Sequence, residues 1–245
     1  MFHFKQFNIQ QDQCAMKIST DAVLLGAWTP CFPPTLRILD IGTGSGCIAL
    51  MLAQRTADTT LIDAIEIDPA AARQAQQNAE QSPWASRINI SNQALQTYKP
   101  LNPDKLYDLI VCNPPYFENS LKSTRQRRNC ARHTNDSLSF ADLTHYAAAL
   151  LHPQGLFCVI LPTQSYPSFI YQAQKNKLYI QFKTIVYTRP DKPPKRVLIA
   201  LSKDPTYQCP LPAAVAPTMS IHPPLPHDGY TDEYRRLTTD FYLAF

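Results

Sequence analysis

The distribution of glycine constrains the fold of this sequence more than any other feature. The chain has only six glycines, and three of them stand at alternate positions: Gly42, Gly44 and Gly46. A short apolar stretch (residues 37–41) precedes them, and apolar residues at helical spacing (residues 48–55) follow. Glycine is used where the backbone turns sharply or approaches a ligand closely. The pattern therefore predicts a strand, a ligand-binding turn and a helix.

Strands and helices alternate through the rest of the chain, which predicts an α/β fold with a doubly wound, mainly parallel sheet. Asp68 followed by Pro69 predicts the start of a helix after the second strand, with Asp68 as the N-cap. Asp21 is expected to cap a short apolar helix that ends near Gly26. We find no internal repeat and no sign of a second domain.

Composition narrows the class of protein further. Hydrophobic residues make up 44% of the sequence, which suits a globular core, and no apolar run resembles a signal peptide or a membrane span. We therefore expect a soluble, cytoplasmic protein. The seven cysteines are scattered and form no Cys-x-x-Cys, so we expect reduced thiols and no metal site. The net charge of +4 is too small to demand nucleic acid. The sequence leaves the oligomeric state open, with a monomer as the expectation.

Two cofactor classes compete for the glycine turn: a dinucleotide and S-adenosylmethionine. A dinucleotide site has the pattern Gly-x-Gly-x-x-Gly, whereas here the third glycine comes one residue early, at Gly46. Asp40 precedes the turn, and its carboxylate would repel a pyrophosphate but suit a sulfonium or ammonium group. Glu66 ends the second strand, where an acid accepts hydrogen bonds from ribose hydroxyls of either cofactor. The glycine spacing and Asp40 favour S-adenosylmethionine.

A stiff strand end follows the fourth strand of the predicted sheet. Residues 107–112 are typical of a buried strand and run directly into Asn113, Pro114, Pro115 and Tyr116. Each proline holds the residue before it in extended backbone and offers no N–H of its own. In a doubly wound sheet this strand end lies at the same edge as the glycine turn, so Asn113 is expected to face the methyl group of the cofactor. Taken alone, the tetrapeptide also fits a proline turn without function.

The glycine turn and the Asn-Pro-Pro-Tyr tetrapeptide together resemble the methyltransferases that act on exocyclic amino groups. Within that class, several shorter stretches make the chain similar to the bacterial tRNA adenine-N6 methyltransferases of valine tRNA. Those stretches are residues 4–7, 15–17, 20–21, 24–28, 81–84 and 196–198. The resemblance runs over essentially the whole chain and implies methylation of adenine 37, immediately 3′ of the anticodon. It also implies a Rossmann-like class I methyltransferase fold, with a seven-stranded sheet whose last strand is antiparallel.

Chemistry and resemblance agree on the catalytic residues. The side chain of Asn113 and the carbonyl of Pro114 accept the two N–H bonds of the target amine, which localises the nitrogen lone pair. Tyr116 stacks on the base. The expected cofactor-binding residues are Asp40, Gly42, Gly44, Gly46, Glu66, Asp68, Gln93, Asn113, Lys17, Thr20 and Asp21. Gln93 is a departure, because the family usually has an acid there, and either its side chain or a backbone amide is expected to replace that acid.

The resemblance also divides the chain into two parts. Residues 1–35 are expected to cover the cofactor site, with Lys17, Thr20 and Asp21 over the pocket. Residues 36–245 are expected to form the methyltransferase domain, including a C-terminal strand and helix, so that the whole chain is a single domain.

Two basic stretches indicate contact with RNA. The first lies within residues 119–135, which contain no acid, and the second lies within residues 192–196. Their cations are Lys122, Arg125, Arg127, Arg128, Arg132, Lys192, Lys195 and Arg196. An adenine in an anticodon loop is already unpaired, so moving it into a pocket costs little, and its flanking phosphates need cations. We predict that these residues contact tRNA; an ordinary solvated surface is the alternative.

Three other functions share parts of this pattern. A protein glutamine-N5 methyltransferase has the same tetrapeptide, because its target is also a planar amide nitrogen, but it usually carries a separate N-terminal helical domain. Another nucleic-acid amino methyltransferase, acting on rRNA or DNA, is the second; for duplex DNA, extra mass is needed to read the grooves. A non-catalytic RNA-binding protein that keeps the cofactor fold is the third, and intact Asp40, Glu66 and Asn113 argue against it.

Overall fold

Strands and helices alternate along most of the chain, as the sequence predicts. The computed structural model describes residues 1–31, 35–100, 106–115, 138–207 and 216–245. In chain order the elements there are β1 (Phe2–His3), β2 (Asn8–Ile9), α1 (Thr20–Trp28), β3 (Arg37–Ile41), α2 (Cys47–Arg55), β4 (Leu61–Glu66), α3 (Pro69–Glu80), β5 (Ile88–Asn92), β6 (Tyr107–Cys112), α4 (Phe140–Leu150), β7 (Leu151–Pro162), α5 (Tyr166–Lys175), β8 (Tyr179–Tyr187), β9 (Pro194–Ser202), β10 (Thr218–Ser220) and α6 (Asp232–Thr238).

The main sheet has a mainly parallel topology. Its described strands follow the order β10-β8-β9-β7-β6-β3-β4-β5. The strands from β7 to β5 in that order are parallel, β9 is antiparallel to both β7 and β8, and β10 is parallel to β8. The predicted fold class is confirmed. The strand count differs: the described residues give eight strands where seven were predicted, because β10 adds an edge strand, and the antiparallel strand is β9 and not the last.

Helices cover both faces of this sheet, and neighbouring residues of one strand point into different cores. In β3, Ile38 belongs to the core under α1 and α2, whereas Leu39 belongs to the core under α4 and α5. The helices α1 and α2 end together, since the guanidinium of Arg55 donates to the carbonyls of Gly26 and Thr29, both at 2.7 Å. The two helices therefore also begin at the same edge of the sheet.

That edge collects the carboxyl ends of the parallel strands, and we call it the carboxyl edge. Ile41 at the end of β3 pairs with Cys112 at the end of β6. The antiparallel strand β9 begins there, because Arg196 pairs with Pro162, the last residue of β7. The amino edge is the opposite one, where the parallel strands begin.

One of the predicted helix caps is right and one is wrong. Asp68 caps α3, since its Oδ1 accepts a hydrogen bond from the N–H of Ala71 at 2.8 Å. Asp21 does not cap α1. Ser19 does, with its Oγ accepting from the N–H of Ala22 at 3.3 Å and its backbone extended. Asp21 already lies in the first helical turn, where a carboxylate favours the positive end of the helix dipole.

Candidate active site

The turn after β3 is fixed to β4 on one side and open on the other. The N–H groups of Gly42 and Thr43 donate to the carbonyl of Ile65, at 2.9 and 3.0 Å. Gly42 and Gly44 have φ angles of +71° and +58°, and a Cβ built on either would meet no described atom within 4 Å. The turn therefore faces open space into which a ligand can come close to the backbone.

Gly46 has a different role from the other two glycines. It precedes α2 in the left-handed conformation, with φ of +84°. A Cβ built on it would lie 3.5 Å from the Cβ of Ala75 in α3, which is an ordinary contact. Backbone conformation therefore requires glycine here, and only Gly42 and Gly44 face open space.

The carboxylate of Glu66 links the turn after β3 to the turn after β4. Its Oε2 accepts from the N–H of Gly44 and its Oε1 accepts from the N–H of Asp68, both at 2.9 Å. The carboxylate is half-buried, and each oxygen retains a lone pair for a further donor. Glu66 is thus held beside the open face of the glycine turn and can accept hydrogen bonds from hydroxyl groups. Asp68 is exposed and uses its carboxylate as the α3 cap.

Asp40 lies fully buried beneath the same turn. Its Oδ2 accepts from the hydroxyl of Thr43 at 2.6 Å, while its Oδ1 is buried and has no partner of normal hydrogen-bond geometry among the described residues. Burial raises the pKa of Asp40 to about 7, against the opposing effects of the Thr43 hydroxyl and the Ala49 backbone. A positively charged ligand above the turn would lower that pKa again, because it favours the carboxylate.

The end of β5 carries amides at the position where the resemblance predicts an acid. The N–H of Gln93 donates to the carbonyl of Glu66 at 3.1 Å. The Asn92 side chain donates to the carbonyls of Glu66 and Ile67, at 2.8 and 3.0 Å. Both residues therefore fix the end of β4. We did not predict Asn92 as a site residue; the signal available in the sequence was an amide placed directly at a strand end.

Asn113 follows β6 in register with the glycine turn. Because Cys112 pairs with Ile41, Asn113 comes beside Gly42 at the carboxyl edge. Asn113 is half-buried, Pro114 is buried and Pro115 is exposed. The predicted stiff strand end therefore lies next to the glycine turn, at the carboxyl edge of the sheet.

The chain before α1 packs on α3 and on the glycine turn. The N–H of Gln10 donates to Oδ1 of Asn78 at 2.9 Å, and Nδ2 of Asn78 donates to the carbonyls of Gln10 and Ser45, both at 2.8 Å. The N–H of Gln13 donates to Oε1 of Gln74 at 2.8 Å. Asn78 and Gln74 are almost completely buried. Two buried amides of α3 thus hold this segment against the site.

The three N-terminal residues predicted at the cofactor site have different surroundings. Lys17 is exposed, and its ammonium group donates to the carbonyl of Gln11. Thr20 is exposed at the start of α1. Asp21 is half-buried, and its Oδ2 accepts from Nε of Arg196 at 2.7 Å. A predicted cofactor residue and a predicted RNA residue therefore form an ion pair with each other.

The described residues that were predicted to contact RNA lie at the carboxyl edge. Lys192 is exposed in the connection from β8 to β9, and Lys195 is exposed at the start of β9. Nζ of Lys192 is 3.6 Å from the carboxylate of Asp191. The remaining predicted residues lie outside the described residues: Tyr116, Lys122, Arg125, Arg127, Arg128 and Arg132.

The described residues show neither a metal site nor a membrane-spanning helix. Across those ranges no group of three or more His, Cys, Asp or Glu side chains is placed to hold a metal ion. None of the helices in the same ranges is long and apolar enough to cross a membrane.

Comparison with known proteins identifies similar sequences over the whole chain. Residues 22–181 match the family model "Methyltransferase small domain". A tRNA1(Val) (adenine(37)-N6)-methyltransferase of Bacteroides fragilis is 45% identical, covering 99% of this chain and 97% of that protein. A protein of the same name from Serratia proteamaculans is 44% identical, covering 100% of this chain and 90% of that protein. Another from Trichodesmium erythraeum is 44% identical, covering 100% of this chain and 98% of that protein.

Solved structures show the same architecture. The crystal structure of a predicted O-methyltransferase from Agrobacterium tumefaciens has a TM-score of 0.65, covering 90% of this chain and 96% of that chain, at 18% identity. A geranyl diphosphate methyltransferase, solved with its substrate and sinefungin, has a TM-score of 0.53 at 13% identity and covers 75% of this chain and 77% of that chain. At these identities the likeness concerns the fold alone.

Proposed function

The chain belongs to the methyltransferase small domain family and to the family of its tRNA1(Val) relatives, and we propose that it methylates N6 of adenine 37 in tRNA1(Val). The proposed methyl donor is S-adenosylmethionine. The observation that carries the proposal is the position of Asn113, which comes beside Gly42 because Cys112 pairs with Ile41. An amide side chain and the glycine turn are therefore neighbours at one edge of the sheet, which supports a site for an amine beside a cofactor.

The residues around the glycine turn fit this cofactor. Bound there, S-adenosylmethionine supplies an electrophilic methyl group on a positively charged sulfur. Gly42 and Gly44 leave room for close approach to the backbone, and Glu66 is fixed where it can accept from ribose hydroxyls. The unpartnered Oδ1 of Asp40 gives the turn a latent negative charge that favours a cation.

Asn113 and Pro114 would prepare the amine. The nitrogen on the adenine ring is a poor nucleophile, because its lone pair is delocalised into the ring. The amide oxygen of Asn113 and the carbonyl of Pro114 can each accept one N–H, which favours a pyramidal nitrogen with a localised lone pair. Positioning and electrostatics then lower the barrier, and no strong base is required.

The carboxyl edge also carries exposed cations that can bind the RNA. Lys192 and Lys195 are exposed beside the start of β9 and can neutralise phosphates near the target base. Stacking of the base on Tyr116 stays a prediction from the sequence, as does phosphate contact by the basic residues between 122 and 132. An unpaired adenine can enter such a site with little cost.

Nucleoside mass spectrometry tests the proposal. The purified protein is incubated with S-adenosylmethionine and an unmodified tRNA1(Val) transcript, and a transcript with guanine at position 37 serves as the matched control. We expect N6-methyladenosine in the first RNA, located at position 37 by nuclease mapping, and none in the second. Methylation of both transcripts, or of a protein glutamine and neither RNA, would contradict the proposed substrate.

A further inference from the structure

The ion pair between Asp21 and Arg196 joins parts of the chain that are far apart in sequence. Oδ2 of Asp21 accepts from Nε of Arg196 at 2.7 Å, and the two side chains are 15% and 30% exposed. Asp21 lies in the first turn of α1, and Arg196 lies in β9 beside the last residue of β7. The pair is therefore at the carboxyl edge, on the far side of Asn113 from Glu66.

The segment before this pair is held at its other end by α3. We call residues 10–21 the strap. Gln10 and Gln13 are bonded to buried amides of α3, as described above. Cys14 is buried, and burial together with the negative charge of Glu66 raises the pKa of its thiol. The strap therefore begins at the Glu66 side of the site and ends at Arg196.

The length of the strap matches the width of the cleft. Between β4, which carries Glu66, and β9, which carries Arg196, the strand order is β9-β7-β6-β3-β4, which is four strand spacings or about 19 Å. From Gln13, which is bonded to Gln74 of α3, to Asp21 the chain can extend by at most about 26 Å. Part of this length is folded back, because Oε1 of Gln11 accepts from the N–H of Ile18 at 2.7 Å. A segment tied at both ends in this way must cross in front of the ends of β3 and β6, where the glycine turn and Asn113 lie.

We propose that the Asp21–Arg196 ion pair fastens the strap across the cofactor cleft, so that Asp21 and Arg196 are positioning residues for the cofactor. This rests on the proposed function of the glycine turn. Arg196 then acts through the strap, and phosphate binding at this edge is left to the exposed Lys192 and Lys195. No regular strand or helix includes residues 10–18. Within the strap, Oε1 of Gln11 accepts from the N–H of Ile18 at 2.7 Å, and the strap is joined to α3 at one end and to Arg196 at the other.

Three variants test the pair: Asp21→Asn, Arg196→Gln and the charge swap Asp21→Arg with Arg196→Asp. S-adenosylhomocysteine affinity is measured by calorimetry in the absence of RNA. We expect each single variant to bind about tenfold more weakly and the swap to recover most of the loss. Hydrogen exchange of the peptide that covers residues 10–20 should accelerate in the single variants and slow again in the swap. The KM for tRNA should change much less than the KM for the methyl donor.

A second ion pair provides the matched control. Arg37 and Asp63 lie 3.0 Å apart with side chains 11% and 10% exposed, at the amino edge. Asp63→Asn should destabilise the fold without weakening S-adenosylhomocysteine binding. Unchanged affinity in Asp21→Asn overturns the proposal, and so does a loss that the swap does not recover, which would make Asp21 a direct ligand. If Arg196→Gln weakens tRNA binding alone, Arg196 contacts RNA and the proposal is wrong. Wild-type protein that binds no S-adenosylhomocysteine would contradict the proposed function instead.

Discussion

Each edge of the sheet holds a buried aspartate. Both carboxylate oxygens of the aspartate at the amino edge have hydrogen-bond partners, whereas only one oxygen of the aspartate at the carboxyl edge does. At the amino edge, Oδ2 of Asp63 accepts from the hydroxyl of Tyr107 and from Arg37, and Oδ1 accepts from Asn89 at 3.2 Å. At the carboxyl edge, Oδ2 of Asp40 accepts from the hydroxyl of Thr43, whereas Oδ1 has no partner of normal hydrogen-bond geometry among the described residues. A completed network stabilises the fold, whereas an incomplete one leaves capacity for a ligand.

Side-chain packing at one edge and backbone conformation at the other show the same contrast. The first residues of β3 and β6, Arg37 and Tyr107, pack a guanidinium over a ring at 4.6 Å, which closes the amino edge. The carboxyl edge has glycines in the left-handed region facing open space. The comparison indicates that contacts at the amino edge stabilise the fold, whereas the carboxyl edge keeps groups that can bind a ligand. Substitutions can separate the two.

The largest expected effect is a pH dependence from Asp40. Its folded-state pKa is about 7, above the ordinary value of 3.8, so between those values the folded protein keeps a proton that the unfolded chain loses. The raised pKa therefore contributes its full share to the free energy of unfolding below about pH 4. That contribution is lost as the pH rises to about 7, so the free energy of unfolding falls by up to about 4 kcal/mol. Asp40→Asn does not titrate. Urea unfolding from pH 4.5 to 8 should show the stability of the wild type falling relative to the variant, whereas parallel profiles would contradict the role of burial.

Breaking the amino edge should cost somewhat less. Asp63→Asn leaves the charge of Arg37 buried without its carboxylate, so we expect the free energy of unfolding to fall by about 3 kcal/mol. Denaturant titration measures this loss. The exposed pair of Asp191 and Lys192 is the control, and Asp191→Asn should change stability by less than about 0.5 kcal/mol. Equal losses of unfolding free energy in the two variants would show that the amino-edge network stabilises the fold no more than an exposed ion pair does.

A matched pair of glycine variants separates binding from stability. Gly44 and Gly229 both have positive φ, and a Cβ on either would meet no described atom closer than 3.5 Å. Alanine at either position should therefore cost about 1 kcal/mol of stability from backbone strain. Gly44→Ala alone should lower S-adenosylhomocysteine affinity, by about tenfold, since only its Cβ enters the proposed cofactor space. Equal affinities would mean that the cofactor does not approach this turn.

The smallest expected effect concerns two helix caps. Asp68 caps α3 beside the site, and Thr231 caps α6 with its hydroxyl accepting from the N–H of Tyr234 at 3.1 Å. Removing either cap with alanine should cost about 1 kcal/mol. Asp68→Ala should also weaken S-adenosylhomocysteine binding, by about threefold, because the N–H that orients Glu66 becomes less fixed. Calorimetry on both variants checks this, and a matching loss in Thr231→Ala would trace the effect to stability alone.

Local sequence patterns predicted much of the fold. The glycine turn, the α3 cap at Asp68 and the strand before Asn113 each depend on residues within a few positions, so their signals lie in one window of the sequence. The order of strands does not. The insertion of β9 between β7 and β8 depends on the pairing of β9 with β7, from which α5 and β8 separate it along the chain, and no local pattern encodes that pairing. Ser19 and Asp21 are both good cap residues, and only the backbone conformation decides between them.

The candidate site was predicted less completely than the fold. The residues at the ends of β3, β4, β5 and β6 follow from topology alone, because parallel strands end at one edge. The pair of Asp21 and Arg196 is separated by 175 positions, and its two members were predicted to bind different molecules. The burial of Asp40 and the distinct role of Gly46 depend on packing against other elements. These features require three-dimensional neighbours that the sequence does not specify.

Comparison of wild type with Asn113→Ala tests the central claim most directly, because it asks whether the carboxyl edge performs the transfer through this amide. Single-turnover methylation of tRNA1(Val) and S-adenosylhomocysteine affinity are measured on the same preparations. The account predicts that transfer slows by at least about 100-fold, while the affinity stays within about twofold of wild type. Transfer at near wild-type rate in Asn113→Ala would contradict it.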